Sequence, residues 1–147
     1  MAIPADTDFV ITQKDTLPVM RIPIPANSAG QLLDLAGCTV TFLGRVKDTR
    51  TFPPPIVRPI ESYAEETATA TDAAVLGITE DDPIIAVYVH LEATDTEGIA
   101  VPTTADFVEM EGELEIVDGD GEVLTIPNDP ETPYLKWWVR DDIGDGA

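Results

Sequence analysis

From Asp106 to Val117 the chain alternates with a period of two, Glu109, Glu111, Glu113 and Glu115 interleaving with Val108, Met110, Gly112, Leu114 and Ile116. A period of two sends successive side chains to opposite faces of an extended backbone, so the segment predicts one half-buried β-strand. Four glutamates along one face repel each other. Such a face is tolerable only against solvent, cations or a basic partner.

The same pattern recurs along the chain. Met20, Ile22 and Ile24 share one side of a strand over Val19–Ile24, and Pro23 and Pro25, which lack an N–H, place that strand at a sheet edge or end it there. Cys38, Val40, Phe42 and Val46 share one side of a strand over Cys38–Lys47. Ile84–Leu91 is apolar on both faces and reads as a central strand or one covered by a partner. Asp118-Gly119-Asp120-Gly121 is a turn between the glutamate strand and a strand over Glu122–Ile126, making a hairpin. Tyr134–Arg140 supplies a last strand, with Leu135, Trp137 and Val139 on one side and Tyr134, Lys136, Trp138 and Arg140 on the other. Glu66–Thr71 alternates weakly and is a further strand candidate. No stretch carries a capped 3.6-residue period; Glu61–Ala74 is the only helical candidate, and its threonines oppose it. Asp48–Pro59, with three consecutive prolines, reads as a stiff extended connector. The expectation is an all-β, immunoglobulin-like antiparallel β-sandwich of about seven or eight strands with little or no helix. Residues 1–147 form one domain, its core spanning about residues 8–143 between flexible termini.

Charge bounds the partners. Among 147 residues there are 28 acidic and 8 basic side chains, for a formal charge of −20. A surface so anionic repels phosphate backbones and anionic lipid, which argues against nucleic-acid or membrane partners. No run of 18 apolar residues is present, and Met1–Phe9 shows no signal-peptide pattern. Dense carboxylates with only three lysines suit a protein hydrated in concentrated salt, a halophilic reading that stands beside a generic acidic surface.

Catalytic chemistry finds little support. The chain has one histidine and one cysteine, and neither a nucleophile elbow nor a phosphate-binding loop. His90 reads as a structural histidine of an apolar strand, and Cys38 as a small core hydrophobe. Asp118, Asp120 and Glu122 space three oxygen donors as a calcium loop would, yet Val123 stands where an EF-hand needs glycine and Asp129 where it needs the bidentate glutamate. The turn reading outweighs a calcium site, and no other cofactor is implied. Adjacent tryptophans on a strand face opposite ways, so Trp137 and Trp138 cannot share one core. If Trp137 is internal, Trp138 joins Tyr134, Lys136 and Arg140 on the far face, where aromatic and cationic side chains suit a protein interface; packing under a loop is the alternative.

Lys14-Asp15-Thr16-Leu17-Pro18 opening a strand, Leu35–Phe42 entering the next, Asp95–Gly98 after the Tyr88 strand, Gly121–Asn128, and a last strand ending Val139–Ile143 succeed one another in an order that resembles the N-terminal domain of tailed-phage baseplate upper proteins. The likeness spans Asp8–Ile143. It implies an immunoglobulin-like sandwich built into a virus particle as a non-enzymatic adaptor of tail, baseplate or neck, located in the virion, touching other virion structural proteins and assembling as a homo-oligomer or symmetric array. A long coiled-coil or receptor-binding extension finds no room after the domain, so host recognition is not part of the expectation. The competing expectations are a capsid-surface decoration protein, a carbohydrate- or cation-binding sandwich module using Trp138 and the Asp118–Glu122 loop, and a polyanion mimic using the glutamate row.

Overall fold

The computed structural model of the chain describes residues 10–12, 19–49, 56–101, 107–127 and 135–140. In chain order these form β1 (Val10–Thr12), β2 (Val19–Pro25), β3 (Thr39–Val46), β4 (Ile56–Pro59), β5 (Ser62–Thr67), α1 (Ala70–Leu76), β6 (Pro83–His90), α2 (Ala93–Glu97), β7 (Phe107–Val117), β8 (Val123–Ile126) and β9 (Leu135–Arg140). The larger sheet runs β1-β9-β7-β3-β4, with β8 also on β7, and the smaller runs β2-β6-β5. Every pairing is antiparallel except β1 against β9. The two sheets bury one core between them, which is the β-sandwich that the alternating segments require.

Alternation fixes which residues meet in that core. Met20, Ile22 and Ile24 of β2 and Ile85, Val87 and Val89 of β6 face Val40 and Phe42 of β3, Met110, Leu114 and Ile116 of β7, and Trp137 and Val139 of β9. As the prolines demand, β2 lies at an edge, and β6, apolar on both faces, lies at the centre of the smaller sheet.

β8 and β9 share one side of β7. β8 pairs with Leu114–Val117 and β9 with Phe107–Gly112, so the two short strands lie in tandem along the long one and break opposite Glu113. That arrangement lets an eleven-residue strand serve as the spine of the larger sheet while β3 covers its other side.

Three features depart from the sequence reading. β1 was not anticipated; three residues are too few to show alternation, and their partner lies at the far end of the chain. Glu61–Ala74 is neither one helix nor one strand but divides into β5 and α1. The division falls at Thr69, whose hydroxyl accepts the Asp72 N–H at 3.1 Å while the Asp72 carboxylate accepts the Thr69 N–H at 2.9 Å. This reciprocal capping box, closed by Gly77 at φ 69°, outweighs the reluctance of β-branched residues to enter a helix. A second short helix, α2, starts in the same way: the Glu92 N–H donates to Asp95. Lastly, the supposed connector over Asp48–Pro59 ends in β4, which pairs with Thr41–Gly44 of β3.

The tightest packing surrounds Phe42. Gly44 and Gly112 lie opposite each other on β3 and β7. A Cβ at Gly112 would stand 2.8 and 2.9 Å from Cε1 and Cζ of Phe42, and one at Gly44 would stand 3.1 Å from the same ring and 3.2 Å from Trp137. The two glycines thus leave the volume into which Phe42 and Trp137 settle, edge to face at 5.9 Å between ring centroids. Each buried aromatic contributes on the order of 2–3 kcal/mol. We expect Gly112→Ala to lower stability by about 1–3 kcal/mol through overpacking. Gly119→Ala, which meets nothing within 4 Å, should stay within about 0.5 kcal/mol. Urea unfolding of the two variants checks the contrast.

Candidate functional site

The chain has few cations, and the described ones on β2, β3 and β4 are each held by carboxylates. On the outer face of the smaller sheet, Arg21 of β2 donates Nη1 to both carboxylate oxygens of Asp72 at 2.9 and 3.0 Å, and Nε and Nη2 to Glu66 of β5 at 3.2 and 3.1 Å. Tyr88 of β6 donates its hydroxyl to the other oxygen of Glu66. Asp72 is 7% exposed at its side chain and Arg21 26%. Burial alone would raise the Asp72 carboxyl, but the Arg21 guanidinium, with the N–H and hydroxyl of Thr69, outweighs it and holds the group below the usual carboxylate range. The bond to Asp72 in turn raises Arg21, and the bond to Glu66 raises Tyr88.

Arg58 of β4 repeats the device on α2. Its Nε and Nη2 reach Asp95 at 2.7 and 3.0 Å, and Glu92 lies 3.2 Å away. Asp72 and Asp95 are both the third residue of a short helix, and each accepts the N–H of its own cap while a strand arginine grips it in two bonds. These clusters are cross-links that pin helices to strands. Both carboxylate oxygens of Asp72, Glu66 and Asp95 accept from donors of the chain.

The glutamate row of β7 finds its counter-charge inside the molecule. Lys47 Nζ lies 2.9 Å from Glu109, and Arg45 Nε lies 2.9 Å from Glu111. Glu111 also stands opposite Lys136 of β9 in register. Glu113 and Glu115, opposite Leu43 and Thr41, are half-buried. A polyanion mimic needs its charges free for a basic partner, and half of this row is already paired.

The residues proposed as an interface separate. Lys136 and Arg140 are exposed, and Tyr134 lies outside the described residues. Trp138 does face away from the core, as alternation requires, but it is only 4% exposed and packs edge to face on Phe107 at 5.3 Å. It is therefore not a surface anchor, and no sugar ring can stack on it. The sequence carried a partial signal for this: Phe107 stands two positions before Glu109 on the same face of β7, where an aromatic among glutamates needs cover.

Asp118, Asp120 and Glu122 form the hairpin turn. Asp118 Oδ1 accepts the N–H groups of Asp120 and Glu122, both at 2.9 Å, and Gly121 at φ 83° donates its N–H to the Asp118 carbonyl. Its best-placed carboxylate is aimed at its own backbone rather than outward. Among the described residues no three His, Cys, Asp or Glu side chains converge as a metal site would need. Cys38 packs against the core with its Sγ near the Asp34 carbonyl, as a small hydrophobe does. His90, expected among apolar neighbours, is instead exposed at the end of β6. Sequence reading missed an apolar groove of about 770 Å³ bounded by Pro23, Pro25, Leu32, Leu76, Leu124 and Leu135. It opens where β8 gives way to β9, a break that no local pattern announces.

Two outcomes follow from this geometry. Arg21→Met should cost about 2 kcal/mol at pH 7, a value reduced from the fully buried case because Arg21 is a quarter exposed. The native Asp72 pKa is depressed, so its stabilising contribution is present above about pH 4 and fades as pH falls through the folded value; the gap between wild type and variant should narrow there. Thermal melts from pH 7 to pH 3 measure it. Trp138→Ala should lower stability by about 3–5 kcal/mol, as for any buried tryptophan, and chemical denaturation of the isolated chain reads it directly. Compared with known proteins, the chain matches no family model, and no curated protein is significantly similar to it.

Proposed function

We propose that the protein is a non-enzymatic structural component of a tailed-virus particle, an adaptor of tail, baseplate or neck that is held by neighbouring virion proteins. The observation that carries this reading is the ordered series of segments resembling a baseplate domain, in a chain that folds as a two-sheet sandwich. Leu35–Phe42 leads into β3, Asp95–Gly98 closes α2 after β6, residues 121–127 contain β8, and Val139 and Arg140 end β9.

The side-chain chemistry is consistent with such a role. Arg21, Arg45, Lys47 and Arg58 tie carboxylates within the fold, so the outward surface is left strongly anionic. Such a coat keeps free subunits apart by mutual repulsion until a complementary surface takes them up. A component present in many copies needs only modest affinity at each contact, because the neighbours multiply it.

Mass spectrometry of purified particles from the source culture tests the proposal. The chain should be present in a fixed ratio to the tail proteins, and its absence from such particles refutes the reading. A second expectation concerns salt. Raising sodium chloride from about 0.01 to 1 M shortens the screening length from about 30 to 3 Å, which weakens repulsion among the carboxylates. The melting temperature of the isolated chain should rise over that range.

A further inference from the structure

We infer that the outer edge of β5 is a docking site for an extended, basic strand of a different protein. The inference rests on the reading of this chain as an assembly component and names the surface and the chemistry of its neighbour.

The described sheets end in β1, β2, β4, β5 and β8, of which β8 is four residues long and followed by Pro127, and natural proteins blunt such edges to stop stray pairing. β2 is blunted by Pro23 and Pro25. β4 is four residues long and ends in Pro59, and β1 is three residues long. β5 has neither proline nor brevity; its protection is charge, since Glu65 shares a face with the buried Ile85, and a basic strand would neutralise it. The strand runs six residues, Ser62-Tyr63-Ala64-Glu65-Glu66-Thr67, without proline, glycine or lysine. Among the described residues no strand pairs with its outer side. Every residue of it except Glu66 is exposed, including Tyr63 at 44%, although Tyr63 shares a face with the buried Val87 opposite.

The edge is also held ready. At one end the Glu61 N–H donates to the Tyr88 carbonyl; at the other the Ala68 N–H donates to the Asp82 carbonyl, and Arg21 with Tyr88 fixes Glu66. A strand that is already extended loses little conformational freedom when another adds to it.

Charge selects the occupant. Glu65, and Glu61 just before the strand, line the segment in a molecule of charge −20, while Glu66 is already held by Arg21 and Tyr88. A second copy would bring its own glutamates into the same ladder, which is destabilising. A strand with lysine or arginine at alternate positions would set its cations on the face that Tyr63 and Glu65 share, and its apolar side beside Ala64 on the other face.

The test uses the full chain and a synthetic peptide of about eight residues alternating lysine and valine. In about 0.05 M salt, hydrogen exchange should slow at the amides of Ser62–Thr67, and affinity should fall about tenfold in about 0.5 M salt. A peptide alternating glutamate and valine should give no protection. Glu65→Lys, at an exposed position, should weaken binding about tenfold without moving the melting temperature. Adjacent residues of a strand aim their N–H groups in opposite directions, so of Ala64→Pro and Glu65→Pro one spares the pairing with β6. That folded variant should lose the protection. Protection centred on Glu109–Glu115 instead, binding that survives in the folded proline variant, or self-association of the chain through β5 overturns the inference. Presence in virus particles is read separately by mass spectrometry, so either result can fail while the other stands.

Discussion

The sandwich closes over one aromatic contact: Phe42 lies in the space that Gly44 and Gly112 leave open and meets Trp137 edge on. β3, β7 and β9 each supply part of that contact, and the small-sheet residues Ile22 and Val87 belong to the same core. Glycine normally weakens a strand. Here its lack of a side chain allows a larger ring to fill the layer, and the burial of Phe42 and Trp137 offsets the loss.

Outside that core the organising constraint is scarcity of positive charge. With 8 basic side chains against 28 acidic ones, each arginine placed on a carboxylate removes repulsion twice, by neutralising one acid and by orienting its neighbours. Arg21 and Arg58 do so at equivalent points, the third residue of α1 and of α2, where an aspartate already accepts the N–H of its cap. Two helices of seven and five residues, too short to be stable alone, are thereby fastened to strands. The consequence is an exterior whose remaining charge is mostly negative.

Several chemistry-bearing side chains among the described residues are thus occupied in holding the fold. Asp118 shapes a turn, Tyr88 and Glu66 join a cross-link, and the glutamates of β7 share their face with Arg45 and Lys47. A brick held by other bricks needs rigid faces and edges more than a reactive centre, and the proposal of a virion component draws on that match.

How much of this was legible beforehand follows from the range of each interaction. Alternation is a property of neighbouring residues, so β2, β3, β6, β7 and β9, their inward faces, the edge position of β2 and the Asp118 turn could be read from the chain alone. The opposed orientations of Trp137 and Trp138 were legible for the same reason. What covers an outward residue is a property of the whole fold. That Trp138 is buried beside Phe107, that Arg45 reaches a glutamate 66 positions away, and that β8 and β9 share one side of β7 depend on pairings between distant segments. Local pattern sets the face of each strand; only the register between strands, chosen by the burial of both sheets at once, decides which side chains meet there.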